Sequence, residues 1–220
     1  MKDIFIIGAG GVGKEVAYII EEINKKNPTW NILGFIDDNY EINNSYINGY
    51  KVVGNIEYLK KNFNKVNVII AIADYKIKRN IANQLENKFK FATLIHPSVN
   101  VHSTVKIGNG TIIYPGVIIT TNIRIGDHVI ISPKCGIGHD AIINDYASLL
   151  WNVNISGHNK IGIGCLIGSG ATIIQNKIVG DFSTIGAGSV VIDDIKDSTV
   201  NVGVPTREVN NEKSIVCNNS

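Results

Sequence analysis

Hydrophobic residues along this chain follow two different periods, and the change falls at residue 95. In residues 1–94, apolar runs alternate with stretches of helical spacing. "DIFIIGA" is a short apolar run ending in glycine, as in a buried parallel strand. "KEVAYIIEEINKK" places Val16, Ile19, Ile20 and Ile23 on one helical face. "ILGFIDD" and "VNVIIAIA" read as further strands, "KIKRNIANQLENK" as a second helix and "KFATLI" as a last strand. Residues 39–50, rich in Asn, Tyr and Gly, read as a loop. This alternation predicts a small open parallel sheet with helices on its faces, a Rossmann-like domain.

From Ile95 the period becomes six. The chain divides without a slip into seventeen hexads ending at Lys196, and each opens with Ile, Val or Leu. With 44% hydrophobic residues overall, chance would produce this about once in a million trials, so the repeat is real. Fifth positions are mostly small or β-branched, such as Val99, Thr111, Cys135, Ala141, Cys165 and Ser183. Six residues are too few for a helical repeat but suit one flat side of a triangular β-solenoid. Three hexads would close a coil, and coils would stack at about 4.8 Å. The predicted fold class is thus α/β plus β-solenoid, with domains at 1–94 and 95–196 and a C-terminal tail over 197–220.

The 18-residue coil makes some geometry legible. His139 and Asp140 take the third and fourth slots of "IGHDAI", which face outward. One coil on, Gly157 stacks on His139 and His158 on Asp140; one coil back lie Thr121 and Asn122. An exposed imidazole beside a carboxylate suits general-base chemistry, the acid fixing the tautomer and stabilising the imidazolium. Neighbours on a strand point to opposite faces, so the pair meets only at a corner of the triangle. The plainer alternative is a surface histidine on a polar edge. His158 reads as a solvated partner of Asp140, and His96, His102 and His128 as structural or solvent-facing. Trp151 occupies an outward slot, covering an interface or lining a pocket.

In the first domain "GAGGVG" satisfies GxGxxG with Gly8, Gly10 and Gly13, after a strand and before a helix. That context supports a phosphate site at a helix N-terminus. Asp37 and Asp38 end the second strand, where a carboxylate can accept hydrogen bonds from a ribose or base. The motif alone also fits NAD, or glycines that merely pack helix on strand. Against a dinucleotide enzyme, residues 1–94 hold a single compact sheet.

Composition narrows the classes. The net charge is +2 and only 18% of the 220 residues are charged, so no basic stripe points to nucleic acid. No apolar run approaches a membrane span, and no cleavable signal follows the N-terminus, so a cytoplasmic protein without membrane insertion is expected. Three cysteines, Cys135, Cys165 and Cys217, form neither a disulfide framework nor a metal motif. Aliphatic sixth positions such as Ile112, Ile118 and Ile130 point outward and are expected to form a subunit interface.

"IIGAGGVGKEVA", "FIDD" and "AIADYKIKRNIA", followed by hexads with "IGHDAIINDYASL" and a closing "NVGVPTREV", resemble the nucleotide-sugar acetyltransferases of the PglD-like/sialic-acid O-acetyltransferase family over residues 1–209. The resemblance implies a left-handed β-helix, a homotrimer with active sites between subunits, and acetyl-CoA as co-substrate without a metal. It implies a nucleotide-activated amino sugar as partner, in surface-glycan or glycoconjugate biosynthesis. His139 matches the catalytic histidine, and Asp140 stands where the family has glutamate. A second family histidine, which helps to hold the acetyl donor, falls on Ser148; further donor contacts fall on Gly157, Ser169 and Ala187. The sugar nucleotide is expected at Gly10, Gly11, Val12, Asp37, Asp38, Ala73 and Lys76. Where the family reads "AIGNNEIR" this chain has "AIADYKIK": Ala73 for glycine, Lys76 for an acid, Lys78 for arginine. N-acetylation of the sugar is the leading expectation. The alternatives are sugar O-acetylation by the same base and, more remotely, an NAD-binding oxidoreductase or a non-catalytic sugar-nucleotide sensor.

Overall fold

The computed structural model describes residues 1–42 and 44–209. The first domain contains β1 (Lys2–Ile7), α1 (Gly11–Lys26), β2 (Trp30–Ile36), β3 (Tyr46–Ile47), β4 (Tyr50–Gly54), α2 (Ile56–Asn62), β5 (Asn67–Ile70), α3 (Tyr75–Leu85) and β6 (Lys90–Phe91). One sheet has the order β3-β4-β2-β1-β5-β6, parallel except for the β3–β4 hairpin. Both faces of β1 are covered, which explains its unbroken apolar run: Ile4 and Ile6 pack towards α1, Phe5 and Ile7 towards the opposite core.

Two readings of this domain are corrected. Residues 39–50 are not merely a loop: they hold a 3₁₀ turn at Tyr40–Ile42, β3 and the start of β4. Asn48 and Gly49, with φ of +50° and +82°, form the hairpin turn, the Asn-Gly pair that favours such turns. The short helix α2 was also missed; Asn55 caps it by accepting from the Tyr58 N–H. "KFATLI" splits in two: Lys90–Phe91 closes the first sheet, while Leu94–Ile95 opens the stack that follows.

Beyond Leu94 the chain forms three stacks of two-residue parallel strands, a parallel β-helix in arrangement. One stack runs Lys106, Arg124, Ile142, Lys160, Ile178; a second runs Ile118, Gly136, Asn154, Thr172, Val190; the third runs Leu94, Ile112, Ile130, Ser148, Leu166, Thr184. Each step is the expected 18 residues. First-position side chains from Ile113 to Val191 are all buried, whereas Val101 in the outermost coil is 38% exposed. The stack does not stop at Lys196: Val200–Val202 pairs with Thr184–Ile185 and is joined by antiparallel Arg207–Glu208.

Each fourth slot from Gly110 to Gly188 has φ between +56° and +73°. Gly, Asn and Asp tolerate this left-handed region best. It explains Gly110, Gly116, Asn122, Asp140, Asn152, Gly164, Gly170, Asn176 and Gly188, and makes His128, Lys134, Tyr146, His158 and Phe182 the costlier members.

The third stack is covered by the first domain. Ile112 and Ile130, expected at a subunit interface, are 0% and 3% exposed and share a core with Val16, Ala17, Ile19 and Ile20 of α1. Their outward faces are thus covered within the chain, whereas Ile118 is 67% exposed. From α3, the Tyr75 ring lies 5.2 Å from that of Phe182, over Gly164, where an added Cβ would come within 2.8 Å of it. Cys135 and Cys165 are buried, each thiol donating to a carbonyl, and burial pushes both up to about 11. They are packing residues with little thiolate character. Among the described residues, no helix is long and apolar enough to cross a membrane.

Candidate active site

His139 and Asp140 occupy a turn between the Gly136–Ile137 and Ile142–Ile143 strands, the corner their pairing requires. Nδ1 of His139 lies 2.8 Å from Oδ2 of Asp140, and the side chains are 52% and 36% exposed. The hydrogen bond from His139, helped by Asn122 and the nearby His158, holds the Asp140 carboxyl below its usual value. An ionised Asp140 accepts the Nδ1 proton and leaves the Nε2 lone pair of His139 free. The expected columns are present: the Asp140 N–H donates to the Thr121 carbonyl, His158 to His139, and Asn176 to Gly157. The room left by Gly157 is filled by the imidazole itself, since an added Cβ there would lie 2.7 Å from Nε2. Gly157 is buried beneath that ring.

The other expected donor positions lie elsewhere. Ser169 and Ala187 stack with Trp151 at the neighbouring corner, across the Gly136 strand stack; Gly170 donates to the Trp151 carbonyl and Gly188 to that of Ser169. Trp151 is 49% exposed there, leaving an indole face beside two small residues. Ser148 is a correction. It is 1% exposed, its hydroxyl donates to the Ala73 carbonyl and accepts from Lys78 Nζ at 3.2 Å. The first domain covers it, so its side chain is a domain contact rather than an open donor ligand.

In the first domain the glycine loop divides its duties. Gly8 takes φ +98°, and a Cβ on Gly13 would lie 2.1 Å from the Gly8 carbonyl oxygen, so these two shape the turn and its packing. Gly10 and Gly11 face open space. The first helical bond runs from Lys14 to Gly10, leaving the Gly11 and Val12 N–H groups without helical partners. Asp37 ties the loop to β2, accepting from the Ala9 and Asn39 N–H groups. It also lines a cavity of about 500 Å³ with Asn39, Asn44, Lys51, Gly54, Asn55 and Tyr58. Asp38 instead accepts from the Ile56 N–H at the start of α2. Ala73 precedes α3 and holds Ser148, while Lys76 is exposed with its ammonium 5.9 Å from the Tyr75 ring centre. The glycine loop, Asp37 and this cavity form one region; Lys76 and Ala73 belong to the domain junction. Sequence reasoning missed the Asn- and Tyr-lined cavity wall, because it depends on the unrecognised hairpin.

At that junction Lys78 is 0% exposed, and burial lowers its ammonium to about 7. His128 lies between Phe91 and Tyr146, with ring centres at 4.5 and 5.2 Å. Burial lowers it to about 4 and its Nδ1 lacks a partner, so it is a neutral packing residue.

An α/β domain fastened to a hexapeptide-repeat β-stack with a solvent-facing His–Asp pair defines the class of hexapeptide transferases. Residues 3–85 match the PglD N-terminal domain family. A variant of perosamine N-acetyltransferase from Caulobacter crescentus, solved with CoA and GDP-perosamine, is 26% identical, with 96% of this chain and 98% of that chain covered and a TM-score of 0.85. The acetyltransferase domain of PglB from Neisseria gonorrhoeae, with acetyl coenzyme A, is 27% identical, with 94% and 99% covered and a TM-score of 0.86. A serine acetyltransferase from Haemophilus influenzae is 29% identical over 160 residues, 66% of this chain and 52% of that protein. The chain spans about half or less of the length of the curated relatives it matches. Over nearly its whole length the chain is similar to these sugar acetyltransferase structures, and its first domain matches the PglD N-terminal family.

Proposed function

We propose that this protein transfers the acetyl group of acetyl-CoA to the amino group of a nucleotide-linked amino sugar, in the cytoplasm and in the service of glycan assembly. The observation that carries this reading is the exposed His139–Asp140 pair, bonded at 2.8 Å, in a chain whose whole fold matches a sugar N-acetyltransferase. His139 Nε2 takes a proton from the attacking amine as it adds to the thioester carbonyl. Asp140 holds the ring and stabilises the imidazolium. The tetrahedral intermediate collapses and releases CoA, and backbone N–H groups of the coils are the available oxyanion donors. The pyrophosphate binds at the N–H groups of Gly11 and Val12, where the helix end favours anions, and the nucleoside extends towards Asp37 and the adjoining cavity.

The working unit in this reading is a trimer of left-handed β-helices. The first domain covers the Ile112–Ile130 stack, whereas His139 lies on the corner between the other two stacks. The glycine loop of one chain and the base of the same chain therefore face different sides, and a neighbouring copy brings them together. Ile118, Ile142 and Ile178, on those two remaining stacks, are 67%, 37% and 50% exposed and supply the apolar contact.

The test is a CoA-release assay across UDP-, GDP- and CMP-linked amino sugars, with their hydroxyl analogues and NAD as controls. Acetylation of an amine supports the proposal. Acetylation of hydroxyl analogues alone establishes the O-acetyl alternative, and NAD turnover without CoA release overturns both.

A further inference from the structure

His158 has no part in the acetyl-transfer scheme, yet it stands against the catalytic pair. Its Nε2 lies 3.8 Å from Oδ2 of Asp140, the same oxygen that His139 engages at 2.8 Å. The two imidazole planes meet at 87° with centres 5.0 Å apart. One ring nitrogen of each histidine and a carboxylate oxygen of Asp140 all lie within 4.8 Å of one another. Above and below, the same register holds Asn122 and Asn176, so one corner alone of this column pairs two imidazoles with a carboxylate.

We propose that this corner is an inhibitory site for a divalent transition ion such as Zn2+, held by His139 Nδ1, Asp140 Oδ2 and His158 Nε2. Tetrahedral zinc with N and O ligands at about 2.0–2.2 Å sets its donor atoms about 3.4 Å apart. The distances of 2.8 and 3.8 Å from Asp140 Oδ2 to the two imidazoles bracket that spacing, so shifts of well under about 1 Å bring both contacts to it. Two nitrogens and one carboxylate oxygen suit zinc, and a fourth position is left for water. The side chains are 52%, 36% and 50% exposed, so the ion has a path in and out.

The consequence for catalysis follows from proton counting. A neutral imidazole carries one proton. When the metal takes the Nδ1 lone pair, that proton must reside on Nε2, which becomes a donor and can accept nothing. The metal also takes Asp140 away from the ring. Bound zinc therefore switches off the base without blocking the sugar-nucleotide cavity. The binding half stands on this geometry alone; the inhibition half rests on His139 being the base.

The experiment uses the full chain and Zn2+ alone, in calorimetry against the wild type, His158→Asn and His139→Asn. Asn is already accommodated at this slot with φ +58° at Asn122 and +60° at Asn176, so the fold should survive His158→Asn, and circular dichroism verifies it. Each substitution should weaken zinc binding by at least about tenfold, since even an outer-shell change costs about 10- to 100-fold. Acetyl-sugar formation, followed by mass spectrometry, is then compared with and without Zn2+ within each protein. The wild type should be inhibited, reversibly with EDTA, and His158→Asn should need at least about tenfold more zinc for the same fractional loss. CoA thiol released in the assay binds zinc equally in both, so the ratio isolates the protein site. Equal zinc affinity in wild type and both variants overturns the site. Ligand-dependent binding in a protein that acetylates nothing sinks the enzymatic reading and leaves the site standing. Ligand-dependent binding without inhibition of an active enzyme overturns the inhibitory role.

Discussion

His139 is half exposed, bonded to Asp140 and resting over Gly157 on the outside of the coil, so its removal should be felt in the chemistry far more than in the fold. His139→Ala should lower kcat by about 100- to 10,000-fold, as loss of a general base does, with an unchanged melting temperature. Steady-state kinetics beside thermal denaturation test this; wild-type kcat would reduce the pair to surface decoration. Asp140→Asn should cost less, because it orients the ring without taking the proton. The carboxyl of Asp140 lies below its usual value, so it stays ionised well into the acid range. This pair was legible because the 18-residue coil fixes neighbours by arithmetic. The fate of Ser148 was not, because its partners Ala73 and Lys78 lie about seventy residues away and no local period encodes that docking.

The glycine turn before α1 offers two neighbouring changes with opposite expectations. A side chain at Gly11 meets open space, and an acid in the first helical turn favours the helix itself. Gly11→Asp should therefore keep the fold, raise the KM for the sugar nucleotide severalfold or more and leave that for acetyl-CoA unchanged. Gly13→Ala should instead destabilise the protein by about 1–3 kcal/mol through overpacking, because its Cβ would lie 2.1 Å from the Gly8 carbonyl oxygen. Substrate titrations and denaturant melts separate the two; equal KM changes for both substrates in Gly11→Asp would reduce the motif to packing. The hexads were the most legible elements, since a buried aliphatic residue recurs at every sixth position, with mostly small residues beside it in the core. The β3–β4 hairpin was hidden because β3 has only two residues, too few for a period, although Asn48-Gly49 marked its turn. The 3₁₀ turn and α2 fell between the longer signals.

At the scale of the molecule, the exposed isoleucines predict association, and light scattering at micromolar concentration should report a trimer; a monodisperse monomer would leave the His139 corner without its second wall. The junction between the domains makes a separate prediction. Lys78 is fully buried, its ammonium bonded to the Ser148 hydroxyl at 3.2 Å. Burial lowers it from 10.5 to about 7, with Asp74 opposing the shift. The folded state thus binds fewer protons than the unfolded chain between these two values, so stability should rise with pH from about 7 to about 10.5. Below about 7 both states hold the proton and the burial penalty is present in full, on the order of a few kcal/mol. Lys78→Met fills the same space with an uncharged chain. Its melting temperature should exceed that of the wild type most at pH 6 and progressively less towards pH 10. Tyrosines and cysteines titrate in both proteins alike, so the difference between the two curves isolates this one amine. Parallel curves across that range would mean that water or a side-chain movement reaches Lys78, and that the domains are less tightly closed than the contact with Ser148 implies.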